Sequence, residues 1–247
     1  MDDHHVSYRR LFSHAEVVRD LLLGFVPGDW VREHDVNSLK QIGENFGVDE
    51  SHSEDSSLIW QVNLTGSQMR TCLMLVFQSK ADPFTSLRIF QLIGLLYQDL
   101  IRRREVENGQ PLPFVLPVVL YGGQAEWQAP EDLADLIRPM PGELREAQLR
   151  QRFLLLDKGR HQKHPLSGGA NLVSALFQLE NSTTLQMLQP ALSVWVERLK
   201  ATRHTDLHGH FMEWLRGWGA SLEPALHWHE MSDIEEVHSM LARRARK

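Results

Sequence analysis

Between residues 57 and 123 the apolar pattern changes period twice, and few folds accommodate that order. Leu58, Trp60, Val62 and Leu64 alternate, Thr65-Gly66-Ser67-Gln68 supplies turn chemistry, and Arg70 to Phe77 is a second apolar run. Strand side chains alternate faces and turns favour such residues, so this stretch predicts a β-hairpin. In its second strand Cys72, Met74, Val76, Gln78 and Lys80 look one way and Leu73, Leu75, Phe77 and Ser79 the other. Both faces are apolar up to Gln78, which marks a central strand covered on both sides. Asp82-Pro83 then opens a helix to about Arg104, with Phe84, Leu87, Phe90, Ile93, Leu96, Leu100 and Ile101 among its apolar residues. After Asn108-Gly109-Gln110-Pro111, Phe114 to Tyr121 reads as a third strand closed by Gly122-Gly123. The helix is long enough to return the chain for parallel pairing with the preceding strand. The order β-β-α-β predicts an α/β fold.

Either side of this block the signals are mostly helical. Tyr8, Leu11, Phe12, Val17, Val18, Leu21, Leu22 and Phe25 recur at three and four, with Ser13 placed to cap a second helix and Gly24, Pro27 and Gly28 ending the region. Residues 35–55 are polar and acidic with no sustained period, and read as a short helix or turn followed by an exposed loop. Further on come a short helix at 130–137, a strand at 153–157, and helical stretches at 166–180, 183–202, 206–218 and 232–246. No linker rich in Gly, Pro or Ser divides the chain. The expected organisation is an α/β core over residues 1–165 and a helical region over 166–247 packed on it.

Composition narrows the chemistry. One cysteine, Cys72, forms no internal disulfide, which fits a reducing cytoplasm. No apolar run approaches the roughly 18 residues that span a bilayer, so no membrane partner is expected. The 26 basic residues against 32 acidic ones leave a net charge of −6, so contact with nucleic acid must come from a local patch. Two candidate patches exist: Arg102, Arg103 and Arg104 at the helix end, and Lys158, Arg160 and Lys163 in a loop that also carries His161 and His164. Nucleotide-binding glycine loops and the G-x-S-x-G elbow are absent. His204, His208 and His210, and the run His227-Trp228-His229-Glu230, lack the glutamate of H-E-x-x-H and read as solvated helix-end histidines.

The ordered set Ser7-Tyr8-Arg9-Arg10-Leu11-Phe12-Ser13-His14, Leu58-Ile59-Trp60, Phe77-Gln78-Ser79, Asp82-Pro83, Leu95-Leu96-Tyr97-Gln98-Asp99-Leu100, Leu116-Pro117-Val118-Val119-Leu120-Tyr121-Gly122-Gly123 and Leu155-Leu156-Asp157 resembles the recombination-promoting nuclease family. That family is also described as YhgA-like transposases and is a branch of the PD-(D/E)XK nucleases. The resemblance implies a restriction-endonuclease-like core, a mixed sheet flanked by helices, in a DNA endonuclease that promotes recombination and uses Mg2+. Phosphodiester hydrolysis needs a hard cation on the phosphate and an activated water, and Mg2+ prefers carboxylate oxygens. The resemblance places an aspartate directly before the Leu-Ile-Trp triplet and a glutamate two residues before the glutamine. Here Ser57 and Val76 stand in those positions.

Gln78 matches the family residue for residue, and strand alternation carries Asp55 to the side of Ser57 and Lys80 to that of Gln78. A displaced catalytic set of Asp55, Gln78 and Lys80, with Asp55 as metal ligand, is one expectation. The alternative is an inactive member that keeps the fold to bind DNA, to self-associate or to pair with an active relative. Taken without the resemblance, Val76 is an ordinary strand residue, Ser57 a strand-start hydroxyl, Asp82 a helix cap and Gln78 the polar end of a central strand.

Overall fold

A computed structural model describes residues 3–44, 56–67, 69–139, 142–159, 171–201, 205–223 and 226–244. The architecture is mixed α/β. Its elements are α1 (Asp3–Leu11), α2 (Ala15–Phe25), α3 (Gly28–Glu33), β1 (His34–Glu44), β2 (Ser56–Leu64), β3 (Arg70–Gln78), α4 (Thr85–Arg102), β4 (Phe114–Tyr121), β5 (Leu154–Asp157), α5 (Leu172–Glu180), α6 (Leu185–Ala201), α7 (Thr205–Leu222) and α8 (Ile234–Arg244). They fall into two compact units, one of residues 32–160 and one that joins residues 1–31 to residues 161–247. The boundary expected at residue 165 lies outside the described residues.

The first unit is a five-stranded sheet in the order β1-β2-β3-β4-β5. β1, β2 and β3 pair antiparallel, whereas β3, β4 and β5 pair parallel. The hairpin, the crossover helix and the parallel third strand thus stand where the sequence places them. α4 lays Ile89, Ile93, Leu96 and Leu100 over Ile59, Cys72, Met74, Val76, Val115 and Val119. Buried aliphatic side chains like these each contribute about 1.5–3 kcal/mol, which is why the helix stays docked. Trp127 closes the cluster edge-on, its ring 5.1 Å from Tyr121 and 6.0 Å from Phe153.

β1 departs from the expected turn and loop. It is an edge strand whose register slips between Asp35 and Lys40 and again between Gln41 and Gly43. Edge strands are commonly broken by bulges and lined with polar residues, which blocks pairing with further chains and also erases the alternation that would reveal them. Ser38 takes part in the first irregularity, its Oγ accepting from the Asn63 amide at 2.8 Å.

In the second unit α1 packs on α7, α2 on α5, α5 on α6 and α6 on α8. Asp20, 3% exposed, ties three of these helices together. Its Oδ2 accepts from the Leu172 amide at the start of α5 at 2.8 Å, and its Oδ1 from the Arg198 guanidinium of α6 at 3.1 Å. Trp195 stacks on Phe211 with centroids 3.9 Å apart. Ser13 does not cap α2; His14 occupies that position, and the Ser13 hydroxyl donates back to the Arg10 carbonyl at 2.7 Å.

Candidate active site

The start of β2 and the carboxyl ends of β3, β4 and β5 meet at one end of the sheet. Directly paired residues share a face, and the pairing there is Ser57 with Val76, Val76 with Val119, Gln78 with Tyr121, and Tyr121 with Asp157. Alternation puts all of these on the face covered by α4. Ser57 is 2% exposed and its Oγ has no hydrogen-bond partner; Ser86, in the first turns of α4, is likewise buried with an unpartnered hydroxyl. Val76 belongs to the apolar cluster under α4.

Gln78 is buried and hydrogen-bonded through both side chain and backbone. Its side-chain Oε1 accepts from Thr85 Oγ1 at 3.1 Å, and its carbonyl accepts from the Gly122 amide at 2.9 Å. Asp82 is not the cap of α4, which starts at Thr85 with Phe84 in the cap position; Asp82 braces the turn before it, its Oδ1 accepting from the Phe84 amide at 2.8 Å and Oδ2 meeting Arg88 at 2.5 Å. At the far side of the same end Asp157, 5% exposed, accepts from the Gly159 amide at 2.9 Å. Burial, and then the negative charge of Asp157, push the Tyr121 phenol above its ordinary range. Its hydroxyl donates to the Ala125 carbonyl at 2.7 Å, folding over Gly123, where any β-carbon would collide with it. Lys158 lies across Gly122, whose missing side chain leaves room for the ammonium.

These positions bear directly on the sequence expectations. Ser57 and Val76, which stand where the family resemblance puts carboxylates, are cross-strand neighbours. A hydroxyl and an isopropyl group do not fit Mg2+, which binds through hard, usually anionic oxygens. Among the described residues no three His, Cys, Asp or Glu side chains converge on one point. Asp55, Arg160, Lys163, His161, His164 and His204 lie outside the described residues. Lys80 does not share the face of Gln78 by strand alternation, because β3 ends at Gln78 and Lys80 sits exposed in the bend that follows.

The two basic patches are separate. α4 starts beside Gln78 and runs back along the sheet, so its eighteen residues carry Arg102, Arg103 and Arg104 about 27 Å away, whereas Lys158 follows β5 at the Gln78 end. Arg102 and Arg103 both pair with the buried Asp99, the latter at 2.8 Å. Asp157 and Tyr121 carry no motif that marks them as site residues in the sequence. A polar residue closing each of three neighbouring strands is the signal that points to them, and it becomes visible only once the parallel register is known.

Comparison with known proteins adds a family. The family model described as "Putative transposase, YhgA-like" matches residues 2–208. The recombination-promoting nuclease RpnD of Escherichia coli O157:H7 is 23% identical over 122 residues, a match that covers 49% of this chain and 45% of that protein. The chain therefore spans less than half the length of this curated relative. No solved structure matches.

Proposed function

This chain belongs to the family of YhgA-like transposases, and from that premise we propose that it is a DNA-binding member whose own metal-dependent cleavage lapsed with its carboxylate pair. One observation carries the reading: Ser57 and Val76 face each other across β2 and β3, both buried. In a nuclease of the PD-(D/E)XK type a carboxylate at each position would hold the metal that polarises the phosphate and lowers the pKa of the attacking water. With a hydroxyl and an isopropyl group there, β2 and β3 themselves carry no carboxylate for a divalent cation.

The surround is polar and hydrogen-bonded. Gln78 and Thr85 are hydrogen-bonded, Asp82 braces the turn before α4, and Lys158 stands at the same end. Lys158, Arg160 and Lys163 supply the charge for phosphate contact, which is consistent with an acidic chain that meets DNA through one loop. The β2–β3 hairpin, crossover helix and parallel β4 support the restriction-endonuclease-like assignment of the core.

The test pairs cleavage with binding. Wild-type protein is incubated with supercoiled plasmid and Mg2+ or Mn2+, and its affinity for duplex DNA is followed by anisotropy as salt rises. The expected result is no nicking, together with binding whose log–log salt slope falls by about 2.7 when Lys158, Arg160 and Lys163 are all replaced by alanine, at about 0.9 per phosphate contact. Metal-dependent nicking that Asp55→Ala or Gln78→Ala abolishes would overturn the loss of cleavage and establish the displaced site. Absence of salt-dependent binding would overturn the DNA-binding role.

A further inference from the structure

α4 presents a second seam to the outside. Its inner face is spent on the sheet, yet Phe84 at its N-cap and Leu87, Gln91, Gly94, Gln98 and Ile101 within it are all exposed on the opposite side. They are spaced three, four, three, four and three residues apart, the seam spacing by which two helices interlock. None is charged. Phe84 is 58% exposed, Leu87 48% and Ile101 52%, with Phe90 at 39% on the flank. Gly94 lies at the middle of the seam, and a β-carbon there would meet nothing within 4 Å. Glycine weakens a helix interior, and the described residues give no packing reason for it.

We propose that this seam is a homodimer interface in which α4 of one protomer lies antiparallel to α4 of a second copy. The seam is self-complementary about its midpoint between Gln91 and Gly94. Reversed on itself, it sets Phe84 against the partner's Ile101, Leu87 against the partner's Gln98, and Gln91 into the gap left by the partner's Gly94. The same register brings the Asp82 end of each helix level with the arginine-bearing end of the other, and opposes the two helix dipoles. A parallel pairing would instead stack like ends and face Gly94 with glycine, leaving a void. On each protomer the seam offers roughly 350 Å² of apolar surface within roughly 500 Å² in all, which is a small interface. It therefore supports a dissociation constant on the order of 10⁻⁵ M rather than a permanent dimer.

Sedimentation velocity of the full chain, from about 1 to 200 µM so as to bracket that constant, tests the inference. A reversible dimer is expected, weakened at least about tenfold by Leu87→Glu, since a charge is buried in the seam. Gly94→Glu, which meets no internal atom, is a second probe that leaves the protomer folded, as circular dichroism will verify. A Gln91→Cys, Gly94→Cys double variant is expected to form intermolecular disulfides under mild oxidation, with Gly94→Cys alone forming few. A wild-type chain that stays monomeric across the range overturns the proposal, as does a dimer indifferent to both glutamates. Efficient cross-linking of Gly94→Cys alone overturns the antiparallel arrangement.

Discussion

Restoring a carboxylate at each of the two opposed positions turns the geometry of β2 and β3 into a measurable energy. Ser57 and Val76 are direct antiparallel partners, so their Cα atoms stand about 4.5–5.5 Å apart. In the Ser57→Asp, Val76→Glu double variant two charges about 5 Å apart repel by about 3 kcal/mol at an effective dielectric constant of about 20. Burial adds to the cost of each single change. A double-mutant cycle removes those separate costs and isolates the coupling. The melting temperature of the double variant in EDTA should therefore fall by about 6–12 °C below the sum of the single effects, at about 2–4 °C per kcal/mol for a chain of this size. Repulsion raises the carboxyl pKa, so the penalty is present at neutral pH and is relieved as pH falls through that raised value and one group takes up a proton.

A divalent cation shared by the pair offsets part of that penalty. At ten times its dissociation constant Mg2+ or Mn2+ returns about 1.4 kcal/mol, or about 3–6 °C. Calorimetric melts of wild type, both single variants and the double variant, in EDTA and in each metal, measure all these terms. If the double variant shows no unfavourable coupling in EDTA, the two side chains do not meet, and the reading of this end of the sheet is refuted. Were wild type to gain as much from metal as the double variant, the metal site would lie elsewhere in the chain.

Three other perturbations address the surrounding fold. Asp20→Ala removes the acceptor for the Leu172 amide and leaves Arg198 without its buried carboxylate, so denaturant titration should show a loss of about 3–5 kcal/mol, and a loss below about 1 kcal/mol would contradict the bridging role. The Cys72 thiol is pushed up to about 11 by burial, then by Glu105, with Arg70 opposing; at pH 8 only about one thiol in a thousand is ionised. Reaction with a thiol reagent should accordingly be slow until denaturant is added, and rapid native labelling would contradict the burial. Gly123→Ala forces the Tyr121 ring off the Ala125 carbonyl and should cost about 1–3 kcal/mol, whereas an unchanged melting temperature would mean that the ring is free to move.

The central strands and the crossover helix could be read in the sequence because their signals are local. Alternation in Leu58 to Leu64, the unbroken apolar run to Phe77 and the three-four pattern after Asp82 each need only neighbouring residues to be recognised. β1 left no such trace. An edge strand is held by hydrogen bonds to β2 while most of its side chains are only partly buried or exposed, so polar residues serve it and no period results. Lys80 misleads for a related reason, since alternation extrapolates a strand but does not say where it stops.

What the sequence by itself determined is the β-β-α-β order and the resemblance to the family, with Ser57 directly before Leu58-Ile59-Trp60 and Val76 two residues before Gln78. Only the tertiary structure decided that Ser57 lies directly across from Val76, that Gln78, Tyr121 and Asp157 close three adjacent strands on one face, and that residues 1–31 join the C-terminal helices through contacts such as Asp20 with Leu172 and Arg198. Local periodicity fixes which face a residue takes, but register and long-range pairing depend on contacts between segments far apart in the chain, which no local pattern encodes.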